Sequence, residues 1–151
     1  MLAFGYDYNR DDYKLLAGVC GPDSVFEVFS QGLNSWRTIR NILSEFYISN
    51  HSGVLVNGVF HWLDRRKGSS NVLLVSLDIS NEIFKEMELP KQPSEEIQQR
   101  RREWDYRLMF LNLGVVEGCL CLFVVEVAVR VDVWVLQNYG VPDSWTKRYT
   151  L

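Results

Sequence analysis

Charge of one sign, sulfur and long apolar runs are all scarce in this chain. Lys and Arg total 16 against 19 Asp and Glu, a formal net charge of −3. Such a balance offers no electrostatic footprint for a phosphate backbone, so nucleic acid is not an expected partner. No apolar stretch approaches the roughly 20 residues that span a bilayer. The opening Met1-Leu2-Ala3-Phe4-Gly5-Tyr6-Asp7 also lacks a basic segment followed by an apolar one. No membrane partner is expected, and the chain reads as cytoplasmic or nuclear. Its three cysteines leave an odd thiol, and reduced thiols suit an intracellular protein. Cys119 and Cys121 lie two apart on a strand pattern, which puts them on one face as small apolar side chains. Zinc sites bring paired ligands at defined separations, and Cys119-x-Cys121 with His51 and His61 does not supply them, so neither metal nor cofactor is expected. Gly-rich phosphate loops, Gly-x-Ser-x-Gly elbows and His-Glu-x-x-His helices are absent. Asp11, Asp12, Asp78, Glu86 and Glu88 fall at turns or on an outer strand rather than around a pocket, so the chain is not expected to be an enzyme.

Aromatic residues, by contrast, make up 13% of the chain, with five Trp. They crowd with Val into short runs, which favours strands. The clearest unit is Gly53-Val54-Leu55-Val56-Asn57-Gly58-Val59-Phe60-His61-Trp62-Leu63, two apolar runs around an Asn-Gly pair. Asn-Gly adopts the type I′ turn that joins two right-twisted strands, and the lack of apolar/polar alternation predicts a hairpin covered on both faces. Further hairpins are expected across Phe4 to Leu16 and Val25 to Ile39. Beyond them lie a strand Val72 to Asp78 and an outer strand Phe84 to Leu89 with one wet face.

The order then repeats. Leu113 to Phe123 reproduces the central hairpin with Glu117-Gly118 in place of Asn57-Gly58, and Val131 to Leu136 and Ser144 to Tyr149 reproduce the strands that follow it. Trp36, Phe84 and Trp145 hold corresponding places and are expected to pack between repeats. A period of about 50 to 60 residues with four strands per unit is the signature of propeller blades of the kelch size class. The fold expected is therefore all-β, a partial kelch-like β-propeller of about three four-stranded blades filling residues 1–151. A set of about three leaves terminal faces exposed, since propellers close with about four to eight. One polar stretch, 91–107, interrupts the pattern as a short helical or mobile insertion. Ser94 is suited to cap such a helix, with Glu95 and Glu96 at its positive end and Arg100, Arg101 and Arg102 at its negative end.

Phe4-Gly5-Tyr6-Asp7, Asp11-Asp12-Tyr13-Lys14, Asn34-Ser35-Trp36-Arg37, Val56-Asn57-Gly58 with His61-Trp62, Val133-Trp134-Val135 and Ser144-Trp145-Thr146-Lys147 together resemble the F-box-associated domain of plant F-box and F-box/kelch-repeat proteins. The resemblance runs through nearly the whole chain and rests on the order of several short motifs. It implies the substrate-recognition part of a Skp1–cullin–F-box ubiquitin ligase, which holds a target protein while other subunits supply the chemistry. Skp1 and cullin are then reached only through an F-box, whose pattern does not occur here. Two basic clusters are candidates for partner contact: Arg65, Arg66 and Lys67 after the central hairpin, and Arg100, Arg101 and Arg102 beside Trp104, because Arg and Trp are enriched at binding hot spots. The alternative reading is a propeller module that binds a glycan or other small ligand, which needs aromatic and polar groups converging in a concave pocket.

Overall fold

Short β-branched and aromatic runs separated by Asn, Asp and Gly turns fold as thirteen antiparallel strands among the residues that the computed structural model describes. It describes residues 2–19, 25–39, 46–47, 53–66, 72–93 and 109–151. The first sheet joins β1 (Leu2–Asp7), β2 (Asp12–Val19), β3 (Val25–Ser30) and β4 (Ser35–Ile39) in sequence order. The second joins β7 (Val59–Arg66), β8 (Val72–Asp78) and β9 (Ile83–Met87). Its inner position is shared by β5 (Phe46–Tyr47) and β6 (Val54–Val56), which pair with opposite ends of β7. The third joins β10 (Met109–Val116), β11 (Cys119–Glu126), β12 (Arg130–Leu136) and β13 (Trp145–Thr150), again in sequence order. These are the meandering blades of a partial propeller. The chain divides into two compact units, Met1–Glu86 with the first two sheets and Met87–Leu151 with the third.

Turn chemistry sets the register. Asn57 and Gly58 have φ of 52° and 73°, and Glu117 and Gly118 have 52° and 77°, so both inner hairpins close through turns with two left-handed residues. The right-handed strand twist demands this geometry. Three longer turns end in the same way, on Asp11 at φ 54°, Asn34 at 47° and Glu82 at 59°.

Because side chains alternate, each sheet has two faces, identified here by the second strand. A front face carries Lys14, His61 or Cys121, the third residue of that strand, and a back face carries Tyr13, Phe60 or Leu120, the second. In the first unit the front of the first sheet packs on the back of the second. Ala3, Leu16, Phe26, Val28 and Ile39 meet Phe60, Trp62, Val75, Leu77 and Phe84 in one core. Fully burying each large side chain there is worth about 1.5–3 kcal/mol. The inner hairpin β6–β7 is covered on both faces, with Phe60, His61, Trp62, Leu63 and Asp64 all buried in succession, as its unbroken apolar run requires. On β9, Ile83, Lys85 and Glu86 are exposed and Phe84 is buried, so this outer strand has the expected wet face.

Gly58 has open space where a Cβ would stand, so its requirement is purely conformational. Gly58→Val is expected to destabilise by about 1–3 kcal/mol, the cost of forcing a β-branched residue to positive φ. Gly58→Asn is expected to cost less, and urea denaturation of the two variants checks the order.

Candidate functional site

Close approach of two sheets needs small residues on one side. A Cβ on Gly5 would lie 2.7 Å from Leu55 Cδ2 and 3.0 Å from the Phe60 ring, and one on Gly53 would lie 3.2 Å from Ala3 Cβ. With backbone in place of side chains, Phe26, Trp62 and Phe84 form a mutually tilted aromatic cluster, Phe26 to Phe84 centroids 4.9 Å apart and Trp62 to Phe84 5.9 Å. Dispersion and quadrupole contacts of this kind fix the two sheets at one angle.

Where this seam reaches the turns it becomes polar. Lys14, 2% exposed, stands on the same face as Leu16 and sends its ammonium to Asp7 Oδ2 at 2.8 Å, to the Ile79 carbonyl at 2.6 Å and toward Glu82 Oε1 at 3.7 Å. The ammonium donates to the Ile79 carbonyl and forms ion pairs with Asp7 and, at longer range, with Glu82. Asp7, fully buried, receives the Asn9 and Arg10 amides and the Ser80 hydroxyl on Oδ1. Asn9 Nδ2 also donates to Ser80 Oγ at 3.1 Å, and Arg37 pairs with Glu82. Asp12 clasps the next turn, accepting from Gly32 N at 2.8 Å and from the Ser30 hydroxyl at 2.5 Å. The 8–11, 31–34 and 79–82 turns are thereby tied into one platform, from which Tyr8 and Leu33 project, 80% and 71% exposed.

Burial alone pushes the Asp7 carboxyl up. Hydrogen bonds from Lys14 and Ser80, with the Lys14 charge, outweigh it and hold the group below the ordinary carboxylate range. Asp12 is lowered by the Ser30 and Gly32 hydrogen bonds. Asp78 is raised by burial but lowered further by its hydrogen bonds from Asn81 and Ser80. The third sheet has its own buried carboxylate, Asp132, 4% exposed. Thr150 Oγ1 donates to it at 2.7 Å, with Lys147 at 3.4 Å and Arg130 at 3.5 Å. There too burial raises the group and these partners overcome it. These carboxylates are structural anchors rather than poised acids.

His61 and Cys121 occupy matching positions, and Lys14 is the third member of the set. His61 is fully buried, and its Nδ1 lies 3.3 Å from the Val54 carbonyl. A carbonyl can only accept, so this contact is a hydrogen bond in the tautomer that carries its proton on Nδ1. Burial drives the His61 pKa down to about 4 against the upward pull of its carbonyl partners, and the ring is neutral at pH 7. Burial likewise pushes the Cys121 thiol up, so it is an inert core group. Among the described residues no three His, Cys, Asp or Glu side chains converge as metal ligands. His51 lies outside those residues.

Of the candidate contact residues, Arg65 and Arg66 end β7, paired in register with Val72 and Tyr47 and with Phe46 respectively. Lys67, Arg100, Arg101, Arg102 and Trp104 lie outside the described residues, as does the Ser94 cap. Backbone at 91–93 is already helical, three residues ahead of that cap. One expectation is corrected. Trp36, Phe84 and Trp145 do share a back-face position, but only Phe84 and Trp145 are buried, at 9% and 8%, whereas Trp36 is 49% exposed against Phe29. The reason is topological. Phe84 faces the first sheet, and Trp145 donates its indole N–H to the Glu88 carbonyl at 3.0 Å. Trp36 lies on the back face of the first sheet, against which nothing in the first-unit core packs.

The residues that tie the seam, Gly5, Asp7, Asp12 and Lys14, are those of the opening Phe-Gly-Tyr-Asp and Asp-Asp-Tyr-Lys motifs. Those motifs are thus structural joints of a blade pair. Among the comparisons with known proteins, the model of the F-box-associated β-propeller domain matches residues 1–151. The chain belongs to that family. Among relatives, F-box protein CPR1 of Arabidopsis thaliana is 32% identical over 97% of this chain and 39% of its own length. F-box/kelch-repeat protein At3g23880 of the same plant is 28% identical over 95% of this chain and 38% of its own. The domain therefore spans about two fifths of the length of these relatives. No helix among its described residues is long and apolar enough to cross a membrane.

Two measurements test the joints of this F-box-associated domain. Lys14→Met alone strands the buried Asp7 charge and is expected to cost about 3–5 kcal/mol, whereas Lys14→Met with Asp7→Asn costs less, because no uncompensated charge remains. Denaturant unfolding compares them. A free histidine titrates near 6.5, and His61 in the fold near about 4. The stability that accompanies its neutral form is complete above pH 6.5 and is lost as pH falls from there to about 4. The aspartates held low act in the same sense at lower pH, contributing above the ordinary Asp pKa and losing that contribution as pH falls through their folded values. His61→Gln is expected to flatten the stability profile between pH 6.5 and 4 while leaving the acid limb below it, as read by melting temperature against pH.

Proposed function

We propose that this F-box-associated domain is the target-binding part of a receptor in a Skp1–cullin–F-box ubiquitin ligase, working in the cytoplasm or nucleus and directing ubiquitination of a bound protein. The observation that carries the reading is the family match over the entire chain, joined to a turn platform whose carboxylates are all occupied by internal partners. Such a platform supplies rigid positioning, which lowers the entropic cost of binding a protein surface, and holds no acid or base free for catalysis. The domain itself performs no reaction in this reading, and Skp1 and cullin are engaged through an F-box elsewhere in the full-length protein. Exposed rings such as Phe4 and Tyr13 stack side by side at 5.5 Å along a sheet face instead of converging across a pocket, an arrangement that favours a broad protein contact over the glycan-binding alternative.

Within the domain, the 91–107 insertion is the proposed contact segment, with Arg100, Arg101 and Arg102 supplying charge-assisted hydrogen bonds around Trp104. Arg65, Arg66 and Lys67 form the second basic patch. In the full-length protein, deletion of residues 1–151 is expected to leave Skp1 binding intact and to abolish ubiquitination of the target. Replacing Arg100, Arg101 and Arg102 together by Ser is expected to reduce target capture with no change in melting temperature. Unchanged capture would remove this segment from the recognition surface, and loss of Skp1 binding on deletion of the domain would contradict the division of labour.

A further inference from the structure

Around the first turn of the chain three tyrosines gather with a carboxylate. The Tyr6 ring stands 4.9 Å from Tyr8 at 83° and 4.9 Å from Tyr13 at 62°, centroid to centroid. Two rings thus incline steeply on a third and form a corner. Tyr6 donates its hydroxyl to Asp11. That bond holds the proton on the phenol and, with burial and the neighbouring negative charge, pushes its pKa up to about 12, so Tyr6 is the donor and Asp11 the acceptor. A carboxylate accepts about four hydrogen bonds, and Asp11, exposed on the turn, keeps acceptor sites toward solvent. Tyr8 is 80% exposed and Tyr13 46%, so both rings keep open surface.

Repeat packing does not account for this corner. Strand pairing sets Tyr6 opposite Tyr13, Leu55 opposite Phe60 and Val115 opposite Leu120 at matching places in the three sheets. Two sheets thus build the position from hydrocarbon and close it with two-residue turns, whereas the first closes with four residues, 8–11, that add Tyr8 and Asp11. Phenol hydroxyls and a carboxylate at this place are not needed by a core. In the third sheet, rings already carry cations of the chain: Lys147 lies 5.7 Å from the Trp134 ring centroid and Arg148 5.8 Å from that of Tyr149. Over Tyr6, Tyr8 and Tyr13 there is none among the described residues. Lys14 is held on the opposite face by Asp7 and the Ile79 carbonyl, and Arg37 by Glu82. Arg10, in the same turn, makes no ion pair with Asp11.

We propose that the corner of Tyr6, Tyr8, Tyr13 and Asp11 binds a cationic side chain, an Arg guanidinium or Lys ammonium, of the protein that the domain receives. The faces of the exposed rings attract a cation set against them, and the carboxylate at the rim adds a charge-assisted hydrogen bond. Tyr8 offers its ring from an ordered turn, since the Asn9 and Arg10 amides are fixed on Asp7, and an anchor already in place loses little freedom on binding. The identity of the occupant rests on the receptor reading, whereas the affinity of the corner for a cation does not.

NMR of the full-length protein with isotope-labelled tyrosine rings tests this without a target in hand, the signals being assigned through Tyr6→Phe, Tyr8→Phe and Tyr13→Phe. The probes are acetyl-Gly-Arg-Gly-amide and acetyl-Gly-Lys-Gly-amide, with citrulline and norleucine peptides as uncharged counterparts. The expected result is a saturable shift of the Tyr6 and Tyr8 signals by the Arg and Lys peptides and none by the uncharged pair. Tyr8→Leu is expected to weaken binding of the Arg peptide about 2- to 5-fold. Asp11→Asn is expected to weaken it too, by a factor that shrinks as salt is added. Asn suits the φ of 54° at position 11, so its melting temperature is expected to be unchanged, which separates lost binding from lost fold. Absence of a saturable shift with both cationic peptides overturns the proposal. So does an equal response to the uncharged peptides, which would make the corner a plain apolar contact, and so does an Asp11→Asn variant that binds the Arg peptide as tightly as the parent. A failed titration leaves the receptor reading standing, because deletion of residues 1–151 tests that separately.

Discussion

The ammonium of Lys14 holds the first two blades together at the point where apolar packing gives out. Phe26, Trp62 and Phe84 bring the sheets into contact but do not by themselves distinguish one sliding position from the next, because dispersion is non-directional. Lys14 does distinguish them. Its bond to the Ile79 carbonyl, and the Ser80 hydroxyl donated to its sheet neighbour Asp7, are made at one relative position only, and a shift of a residue would break both. Buried ion pairs often add little net stability; the Lys14–Asp7 pair lies within the first sheet, and it is the bond to the Ile79 carbonyl that fixes the position of one sheet on the other.

That constraint propagates to the turns. With Asp7 also holding the Asn9 and Arg10 amides and the Ser80 hydroxyl, and Asp12 holding Ser30 and Gly32, the loops between strands inherit the rigidity of the seam. Receptor domains place variable contacts on loops carried by a fixed scaffold. Here the scaffold extends into the loops, so Tyr8 and Leu33 are exposed side chains on an ordered backbone.

Hairpins, their two left-handed turns and the repeat were legible in the sequence because each depends on local chemistry: Asn57-Gly58 and Glu117-Gly118 dictate a turn irrespective of distant contacts. The correspondence of Trp36, Phe84 and Trp145 was also legible, since alternation along a strand sets the face. Whether that face is covered was not, because coverage depends on a neighbouring sheet and not on the residue, and Trp36 is exposed for that reason. The seam hub is not legible in the sequence for a different reason. Asp7 and Lys14 sit beside turns, where charged residues are ordinarily solvated, and only the alternation that puts Lys14 in line with Leu16 and Ala3 marks it as facing a core. Arg100 to Arg102 and Trp104 belong to a stretch whose polar composition imposes no period, so neither strand nor helix pattern assigns them a face.

The matching front-face positions Lys14, His61 and Cys121 have a bearing on how such a chain assembles. Tandem units of like shape are prone to docking against the wrong neighbour while folding, a hazard that grows with the similarity of their surfaces. Each hairpin pairs residues close in sequence, whereas Lys14 meets Ile79 across 65 positions, so the seam carries the larger cost of loop closure. An ammonium, a neutral imidazole and a thiol at the same address make three non-interchangeable keys. A sheet face carrying Lys14 needs oxygen partners for a charge, which a face carrying neutral His61 or Cys121 does not.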